Sequence, residues 1–169
     1  MDPRDVLVML LAGGRGDRLE PLTRHRAKPA VPFGGIYRLV DFTLSNCLNS
    51  GLRRIQVLVQ YKNVSLARHL RDGWSFLSSS LGEYIETIPP QMRVGDTWYQ
   101  GTADAIYQNL YSIEREDPRY LLVVAGDHIY KMDYAEMIRH HIENGADMTV
   151  SVVEIPKTQA VGFGILEVD

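Results

Sequence analysis

The sequence has only one cysteine, Cys47, and no apolar run long enough to span a membrane. A single cysteine excludes an intrachain disulfide and a thiolate metal cluster, which fits a reducing cytoplasm. The opening stretch, MDPRDVLVML, is too short for a membrane span and is not preceded by a basic region. We therefore expect a cytoplasmic protein with no membrane partner.

Neither sign of charge dominates the sequence. Its 169 residues, about the size of one domain, include 18 Lys and Arg against 21 Asp and Glu, for a formal net charge of −3. This balance gives a nucleic-acid partner no overall electrostatic support, and we expect none. Any basic binding site must come from local clusters of arginine and lysine.

Four short apolar runs predict strands: DVLVMLLA, RRIQVLVQY, YLLVVAGD and DMTVSVVEI. Continuous apolar runs rich in β-branched residues are typical of parallel strands that are buried on both faces. Helical patterns alternate with these runs, in DFTLSNCLNSG, TADAIYQNLYSIERE and DYAEMIRHHIENG; the last begins with Asp133 and Glu136 at capping-box spacing. The alternation predicts an α/β fold with a Rossmann-like, doubly wound and mostly parallel sheet. Residues 73–101 show no sustained period, so we predict an irregular binding loop or lid there.

The first apolar run ends in a glycine-rich loop, LAGGRG, at residues 11–16. Ligands of open α/β sheets bind beyond the carboxyl ends of the strands, and glycines let backbone N–H groups approach a phosphate. The loop matches neither a Walker A sequence nor a complete dinucleotide-binding fingerprint, and a purely structural turn is an alternative. Arg15, Arg18 and Lys28 in the same segment favour a nucleotide triphosphate, because their side chains can bind phosphate oxygens.

The third apolar run delivers Asp127 to the same edge of the predicted sheet. Mg²⁺ is usually held by one or two carboxylates together with substrate phosphates, so Asp127 is a candidate metal ligand. The alternative is an aspartate that caps the following turn. We interpret His128, which follows it, as structural.

A further candidate stretch is WYQGTADAIYQNL, in which a helix is predicted to begin near Thr102. Backbone groups at such a helix start can contact a base or a phosphate. Trp98 and Tyr99, just before it, are either binding residues or core aromatics.

Three longer stretches carry a specific resemblance: LLAGGRGDRLEPLTRHRAKPAVPFGGIYRLVDFTLSNCLNSG, WYQGTADAIYQN and AGDHIYKMDY. They closely resemble the glucose-1-phosphate adenylyltransferases, also called ADP-glucose pyrophosphorylases, and the resemblance covers essentially the whole sequence. It implies a fold of the nucleotide-diphospho-sugar transferase type that forms ADP-glucose and pyrophosphate from ATP and glucose 1-phosphate. It further implies Mg²⁺ as cofactor, a role in glycogen or starch synthesis, and a homo-oligomer, tetrameric at full family length.

The resemblance also implies roles for individual residues. The catalytic positions are Arg18, Lys28 and Asp127, with Asp127 also the metal ligand. The nucleotide-binding positions are Leu11, Ala12, Gly13, Gly14, Arg15, Gln91, Gly101 and Thr102, and the sugar-phosphate positions are Tyr99 and Gly164.

A regulatory site for a metabolite effector is likewise implied by the resemblance. Its positions are His25, Arg26, Arg38 and Arg115, with Gln60 and Trp98 coupling it to catalysis. His25 and Pro32 stand where a common bacterial pattern has a lysine and a histidine, so the resemblance leaves the identity of the effector open.

Catalytic domains of this family continue past residue 169 to a Glu–Lys sugar-site pair and a second metal-binding aspartate, and then to a C-terminal left-handed β-helix. We therefore interpret residues 1–169 as the N-terminal portion of such a domain, inactive by itself. The alternatives are a sugar-1-phosphate nucleotidyltransferase that uses another nucleotide and a non-catalytic regulatory subunit of the same fold. A dinucleotide-dependent oxidoreductase is disfavoured, because the third glycine and an acidic residue at the end of the second strand are missing.

Overall fold

The computed structural model describes residues 2–14, 16–92, 97–162 and 164–166. The chain divides into two compact units, Met1–Ala135 and Glu136–Asp169. The strands are β1 (Val6–Leu11), β2 (Pro32–Phe33), β3 (Tyr37–Arg38), β4 (Arg54–Leu58), β5 (Tyr84–Ile88) and β6 (Tyr120–Ala125). The α-helices are α1 (Leu39–Asn49), α2 (Val64–Gly73), α3 (Thr102–Tyr107), α4 (Leu110–Glu116) and α5 (Tyr134–Glu143). Within the described residues, none of these helices has both the length and the apolar character needed to cross a membrane.

The first unit is built on a four-stranded sheet in the order β5-β4-β1-β6, in which every pair of neighbours is parallel. Leu7 and Met9 of the central strand pack on one face of the sheet, against Tyr99 and Ala105. Val8, which points to the opposite face, is also fully buried. Burial on both faces explains the uninterrupted apolar character of β1, and the predicted α/β fold with a parallel sheet is confirmed.

Helix α1 connects a small hairpin to the sheet and is fixed at both ends. At its start, the Asp41 carboxylate accepts a hydrogen bond of 2.7 Å from the backbone N–H of Arg38. The same buried carboxylate accepts bonds from His69 and Trp74, which tie α1 to the helix α2 region. At its end, Gly51 has a φ of +78°, the left-handed conformation that terminates helices at glycine.

The predicted strand DMTVSVVEI is wrong. Residues 147–155, in the second unit, form no strand, and Met148, Val150, Val152 and Val153 are each more than half exposed. A strand is stable only when its backbone groups pair with a neighbouring strand, and the described residues offer this segment no such pairing. Sequence pattern alone does not show whether the pairing partner is present.

The prediction that residues 73–101 are irregular is wrong in one place. Tyr84–Ile88 forms β5, which pairs in parallel with β4. This strand is short and lies between Ser/Gly-rich and Pro-rich stretches, which concealed it in the sequence. Helix α2 was also missed.

The third predicted helix is broken into α3 and α4 around Asn109. The buried Asn109 amide donates to the Ala105 carbonyl at 2.8 Å and to the Tyr99 hydroxyl at 2.9 Å. A side chain that bonds the backbone four residues earlier disturbs the helical ladder, and here it also serves a tertiary contact. At α5, Asp133 accepts from the backbone N–H of Ala135 at 2.9 Å. The bond falls one residue short of the predicted capping-box spacing.

A polar network fastens α4 to the amino end of the sheet. Arg54 of β4 donates to the Glu116 carboxylate at 2.8 Å, and the Tyr84 hydroxyl of β5 donates to the same oxygen at 2.8 Å. Burial raises the pKa of Glu116, but the hydrogen bonds from Arg54 and Tyr84 outweigh burial and leave this pKa below its usual value. The ionised carboxylate is therefore the form that stabilises the fold.

We predict that Glu116→Gln lowers the free energy of unfolding by about 1–2 kcal/mol at pH 7, the typical size of a charge-assisted hydrogen bond in a partly buried site. Because the folded-state pKa of Glu116 is lowered, its contribution is present above the unfolded pKa of about 4.3 and is lost as pH falls through the folded pKa. The difference between the two proteins should therefore shrink below about pH 4. Urea unfolding at a series of pH values measures it.

Glu114→Gln, at an exposed glutamate of the same helix, is the matched control and should be close to neutral. A Glu116→Gln effect that stayed constant from neutral to acidic pH would contradict the role of the ionised carboxylate.

Candidate functional site

The glycine-rich loop leaves the carboxyl end of β1 next to β4. Ala12 donates its backbone N–H to the Leu58 carbonyl at 2.9 Å, which extends the pairing of β1 with β4 by one residue. A Cβ added at Gly13 would lie 3.3 Å from the Gln60 Cβ, so the loop passes close to the segment after β4. A Cβ at Gly14 would meet nothing within 4 Å. The backbone at Gly14 is therefore open to a ligand.

Gly16 closes the loop in a conformation that requires glycine. Its φ is +71°, and an added Cβ would lie 2.9 Å from the Lys28 Cβ and 3.0 Å from the Thr23 Cγ2. The buried Thr23 hydroxyl donates to the Gly16 carbonyl at 2.9 Å. The turn thus packs directly on Lys28 and fixes the position where this side chain begins.

Lys28 and Asp127 form an ion pair at the carboxyl edge of the sheet. The distance from Lys28 Nζ to Asp127 Oδ2 is 2.7 Å, and the two side chains are 29% and 32% exposed. Lys28 opens a 3-10 turn, Lys28–Ala30, whose Pro29 and Ala30 are buried. Asp127 directly follows Gly126, whose N–H donates to the Leu11 carbonyl of β1 at 2.9 Å. The fold therefore joins two catalytic candidates, which are 99 residues apart in sequence, beside the glycine-rich loop.

Asp127 supplies one oxygen ligand of the type that Mg²⁺ prefers. Among the described residues, no group of three or more His, Cys, Asp or Glu side chains could hold a metal by itself. The donor set fits a Mg²⁺ ion bound by one carboxylate and by the phosphates of a nucleotide, and does not fit a metal site made by protein alone.

Of the predicted nucleotide positions, Ala12 is buried and Leu11 is half-buried, and those away from the start of the loop are exposed or outside the described residues. Arg18 lies exposed in the 3-10 turn Asp17–Leu19, and Arg15 is outside the described residues. The exposed Gln91 side chain donates to the Pro89 carbonyl at 2.8 Å. Gly101 and Thr102 lie exposed at the start of α3. Arg18, Gln91, Gly101 and Thr102 are thus accessible to a ligand.

Tyr99 and Trp98 differ in burial although they are neighbours. Tyr99 is 8% exposed and belongs to the core, where its backbone carbonyl accepts a hydrogen bond from Gln60 Nε2 at 3.2 Å. Trp98 is 47% exposed, so it is not a core aromatic, and its ring stacks on Tyr61 at a centroid distance of 5.3 Å. Gln60 thus connects the Tyr99 backbone with Gly13 of the glycine-rich loop. Gly164, the second predicted sugar-phosphate position, is exposed in the second unit.

The predicted effector residues His25 and Arg26 border a cavity of about 260 Å³. Its remaining lining residues are apolar: Pro21, Leu22 and Pro32. Arg26, which borders the cavity, is close in sequence to the catalytic candidate Lys28. An anion bound by Arg26 would therefore contact the segment that carries Lys28 without occupying the glycine-rich loop.

Arg38 lies in a basic cluster that includes a residue the sequence reasoning missed. Its Nη1 donates to the Ser65 carbonyl at 3.1 Å and to the Ser65 hydroxyl at 2.6 Å. Burial, followed by the charges of Arg26 and Arg68, lowers the pKa of Arg38, and Asp41 acts in the opposite direction. Arg68 had no signal in the sequence beyond its charge, because only the packing of α2 brings it near Arg38.

Arg115 was predicted to share the effector site with these residues. It lies exposed on α4, and its positive charge contributes to lowering the pKa of Glu116. In the described part of the chain, it is not among the charges that shift the pKa of Arg38.

Lys62 is another residue that sequence reasoning missed. Its Nζ donates to the Thr23 carbonyl at 3.0 Å, and its own carbonyl accepts from the Ala27 N–H at 3.4 Å. Thr23 in turn holds Gly16. The segment after β4 therefore supports the glycine-rich loop indirectly, a role that no local pattern indicated.

Comparison with known proteins gives a consistent result. A family model described as nucleotidyl transferase matches residues 7–169. Glucose-1-phosphate adenylyltransferase 2 of Vibrio parahaemolyticus serotype O3:K6 (strain RIMD 2210633) is 60% identical over 163 residues, which cover 96% of this chain and 40% of that protein. The glucose-1-phosphate adenylyltransferase of Koribacter versatilis (strain Ellin345) is 58% identical over 166 residues, covering 98% of this chain and 40% of that protein. The chain thus spans about 40% of the length of these curated relatives.

We predict that Gly16→Ala destabilises the chain by about 1–3 kcal/mol, the usual cost of a non-glycine residue held in a strained backbone conformation. The added methyl group would also press on Lys28 and Thr23. Gly14→Ala is the matched control, since its Cβ would be in open space, and it should stay within about 0.5 kcal/mol of the wild type. Urea unfolding of the two variants compares them. Equal midpoints for both variants would show that the Gly16 turn is not a packing constraint.

Proposed function

Because the chain belongs to the nucleotidyl transferase family, we propose that its protein transfers the adenylyl group of ATP to glucose 1-phosphate, forming ADP-glucose and releasing pyrophosphate. The observation that carries this proposal is the Lys28–Asp127 pair at 2.7 Å beside the open backbone of the glycine-rich loop. This arrangement offers a cation and a potential metal ligand to the phosphates of one nucleotide. The names of the relatives support the choice of substrates.

The reaction is an in-line displacement at the α-phosphorus of ATP. A phosphate oxygen of glucose 1-phosphate forms a new bond to that phosphorus, while the bond to the bridging oxygen of the β-phosphate breaks and its electron pair leaves with pyrophosphate. Such phosphoryl chemistry depends mainly on positioning and on stabilising the negative charge that develops. It calls for cations and backbone N–H groups at fixed places and for no protein nucleophile.

The described residues can supply these groups. The backbone at Gly13 and Gly14 contacts the phosphates, and Lys28 neutralises charge near the reacting phosphorus. Arg18, exposed at the end of the loop, stabilises the departing pyrophosphate. Asp127 binds Mg²⁺, which when bound neutralises phosphate charge.

The Lys28–Asp127 ion pair also holds both side chains at the place where the proposed ligands would bind. The two opposite charges pair with each other at 2.7 Å in a partly exposed position. An ion pair with this exposure contributes little net stability, so replacing it by contacts to phosphate and cation costs little. Both groups are thereby available to the substrate while remaining in place.

We propose that the chain is the N-terminal portion of the catalytic domain, and its span of about 40% of the length of the named relatives is consistent with a part of a longer protein. At full length we propose a cytoplasmic homotetramer in glycogen or starch synthesis. A metabolite effector is bound near His25, Arg26 and Arg38, where the cavity and the basic cluster lie.

Two other functions remain as competing hypotheses. A sugar-1-phosphate nucleotidyltransferase that uses another nucleotide would share the phosphate-binding groups and differ at the base. A non-catalytic regulatory subunit would share the fold, but the intact Lys28–Asp127 pair favours a catalytic role.

We predict that the chain binds ATP in the presence of Mg²⁺ more tightly than it binds UTP or dTTP. ATP and UTP share the ribose and the triphosphate, so the preference for ATP over UTP measures recognition of the adenine, while dTTP differs in the 2′-hydroxyl as well as in the base. Isothermal titration calorimetry on the chain provides the comparison, with Lys28→Met as a control that should weaken all three equally. Equal affinities for ATP and UTP would reject the adenylyl assignment while leaving the family unchanged.

In the protein at full family length, we predict that Asp127→Asn lowers kcat by about 10²–10³-fold, the typical effect of removing one electrostatic contact to a transition state. The KM for ATP should change much less, because the charge on the carboxylate matters most where negative charge develops. Steady-state measurement of pyrophosphate release separates the two constants.

Arg26→Ala is the matched control for this experiment, since Arg26 borders the cavity and is not part of the Lys28–Asp127 pair. It should keep its activity without effector and change the response to effectors. Unchanged turnover in Asp127→Asn would remove this carboxylate from the mechanism.

A further inference from the structure

The loop that carries Asp127 is held by hydrogen bonds from another element, helix α1. Asp127 is the second residue after the end of β6 and precedes the residues that lead into α5. Its own side chain bonds to Lys28, which is itself partly exposed. The pair alone cannot fix where the carboxylate stands relative to the glycine-rich loop, because both partners are at the ends of side chains that can rotate.

Two side chains of α1 donate hydrogen bonds to backbone carbonyls on either side of Asp127. The Thr43 hydroxyl donates to the Ala125 carbonyl at 2.9 Å, two residues before the aspartate. The Asn46 amide donates to the Tyr130 carbonyl at 2.9 Å, three residues after it. Thr43 and Asn46 are three residues apart in sequence, so they lie on the same face of the helix. One rigid element therefore holds both flanks of the loop.

Both donor side chains are buried. Thr43 is 0% exposed and Asn46 is 6% exposed, whereas the bonds that they make to the loop are only partly buried. A buried donor that loses its acceptor is costly to leave unpaired, so each side chain favours the backbone position that keeps its bond. The two bonds therefore hold the loop from the side of the core.

The far end of the loop is fastened to the same helix. The Tyr134 backbone N–H donates to the Ser50 hydroxyl at 2.8 Å. Ser50 Oγ donates in turn to the Asn46 carbonyl at 2.7 Å. The path from Ala125 to Tyr134 is thus anchored along α1 at its start, its middle and its end.

We propose that Thr43 and Asn46 are positioning residues that set the place of the Asp127 carboxylate and thereby its affinity for a divalent cation. This inference rests on the proposed function, since it takes Asp127 as a metal ligand. Groups that orient a metal ligand from behind it contribute strongly to metal affinity, because a hard cation requires its oxygen ligands at narrowly defined positions.

The test uses Thr43→Val, which keeps the shape of the side chain and removes the hydroxyl, against Thr43→Ser, which keeps the hydroxyl. Mn²⁺ serves as a paramagnetic substitute for Mg²⁺, and its binding to the chain with ATP is followed by electron paramagnetic resonance. We expect Thr43→Val to raise the Mn²⁺ dissociation constant about tenfold and Thr43→Ser to leave it within about twofold of the wild type, by analogy with other groups that orient metal ligands.

Asn46→Asp provides a second, independent variant, because it keeps the size of the side chain but replaces the donor to the Tyr130 carbonyl by an acceptor. It should weaken Mn²⁺ in the same direction as Thr43→Val. Ser45→Ala, on the exposed face of α1, is the control and should bind Mn²⁺ as the wild type does.

A lower melting temperature with unchanged Mn²⁺ binding in both Thr43→Val and Asn46→Asp would show a purely structural role and overturn the proposal. Wild-type Mn²⁺ affinity in Asp127→Asn would also overturn it, since the carboxylate would then not be the ligand. If the full-length protein fails to make ADP-glucose while Mn²⁺ binding still depends on Asp127 and Thr43, the proposed function fails and the positioning role stands.

Discussion

The structure of the site depends on how closely the ends of two parallel strands approach each other. β1 and β6 are neighbours, and Gly126 continues their pairing past the end of β6 by donating to the Leu11 carbonyl. A Cβ at Gly126 would lie 2.5 Å from the Leu10 Cδ2 and 3.3 Å from the Leu11 oxygen. Any other residue would require the Leu10 side chain to shift and would press on the Leu11 carbonyl. The absence of a side chain at this one position therefore allows Asp127 to emerge beside the glycine-rich loop.

The loop and the aspartate then need a third component, which comes from the segment between β1 and α1. Gly16 turns the chain so that Lys28 packs against it. Thr23 donates a hydrogen bond to the Gly16 carbonyl, and Lys62 donates one to the Thr23 carbonyl. The ion pair between Lys28 and Asp127 is consequently the meeting point of two independently supported segments. The pair itself is partly exposed, at 29% and 32%, so it contributes little net stability, whereas Thr23 behind it is buried.

The sequence was sufficient to predict the features that come from local pattern and from the geometry of parallel sheets. β1 and β6 are continuous apolar runs, and the rule that parallel strands present their carboxyl ends at one edge predicted that Asp127 would lie near the glycine-rich loop. Features that depend on tertiary partners were not predictable. At the break in the helix, Asn109 bonds to the Ala105 carbonyl and to the Tyr99 hydroxyl, and the second partner is tertiary. The exposed run at 147–155 has the composition of a strand without a partner among the described residues. Residues that hold the site in place, such as Thr43, had no distinguishing sequence pattern, because their role depends on tertiary hydrogen bonds.

Helix α1 contacts both the basic cluster and the loop that carries Asp127. At its first turn, Arg38 and Asp41 bind it to α2, within the basic cluster formed by Arg26, Arg38 and Arg68. One turn later, Thr43 holds the backbone of the Asp127 loop. An α-helix rises about 1.5 Å per residue, so the two sets of contacts are separated by only about 8 Å along a rigid rod. An anion that drew Arg38 away from Ser65 would release one of the bonds that fix the start of this rod, and any resulting shift of α1 would act on the Asp127 loop directly. The proposed regulation of the site from the basic cluster would therefore require a displacement of one helix and no rearrangement of the sheet.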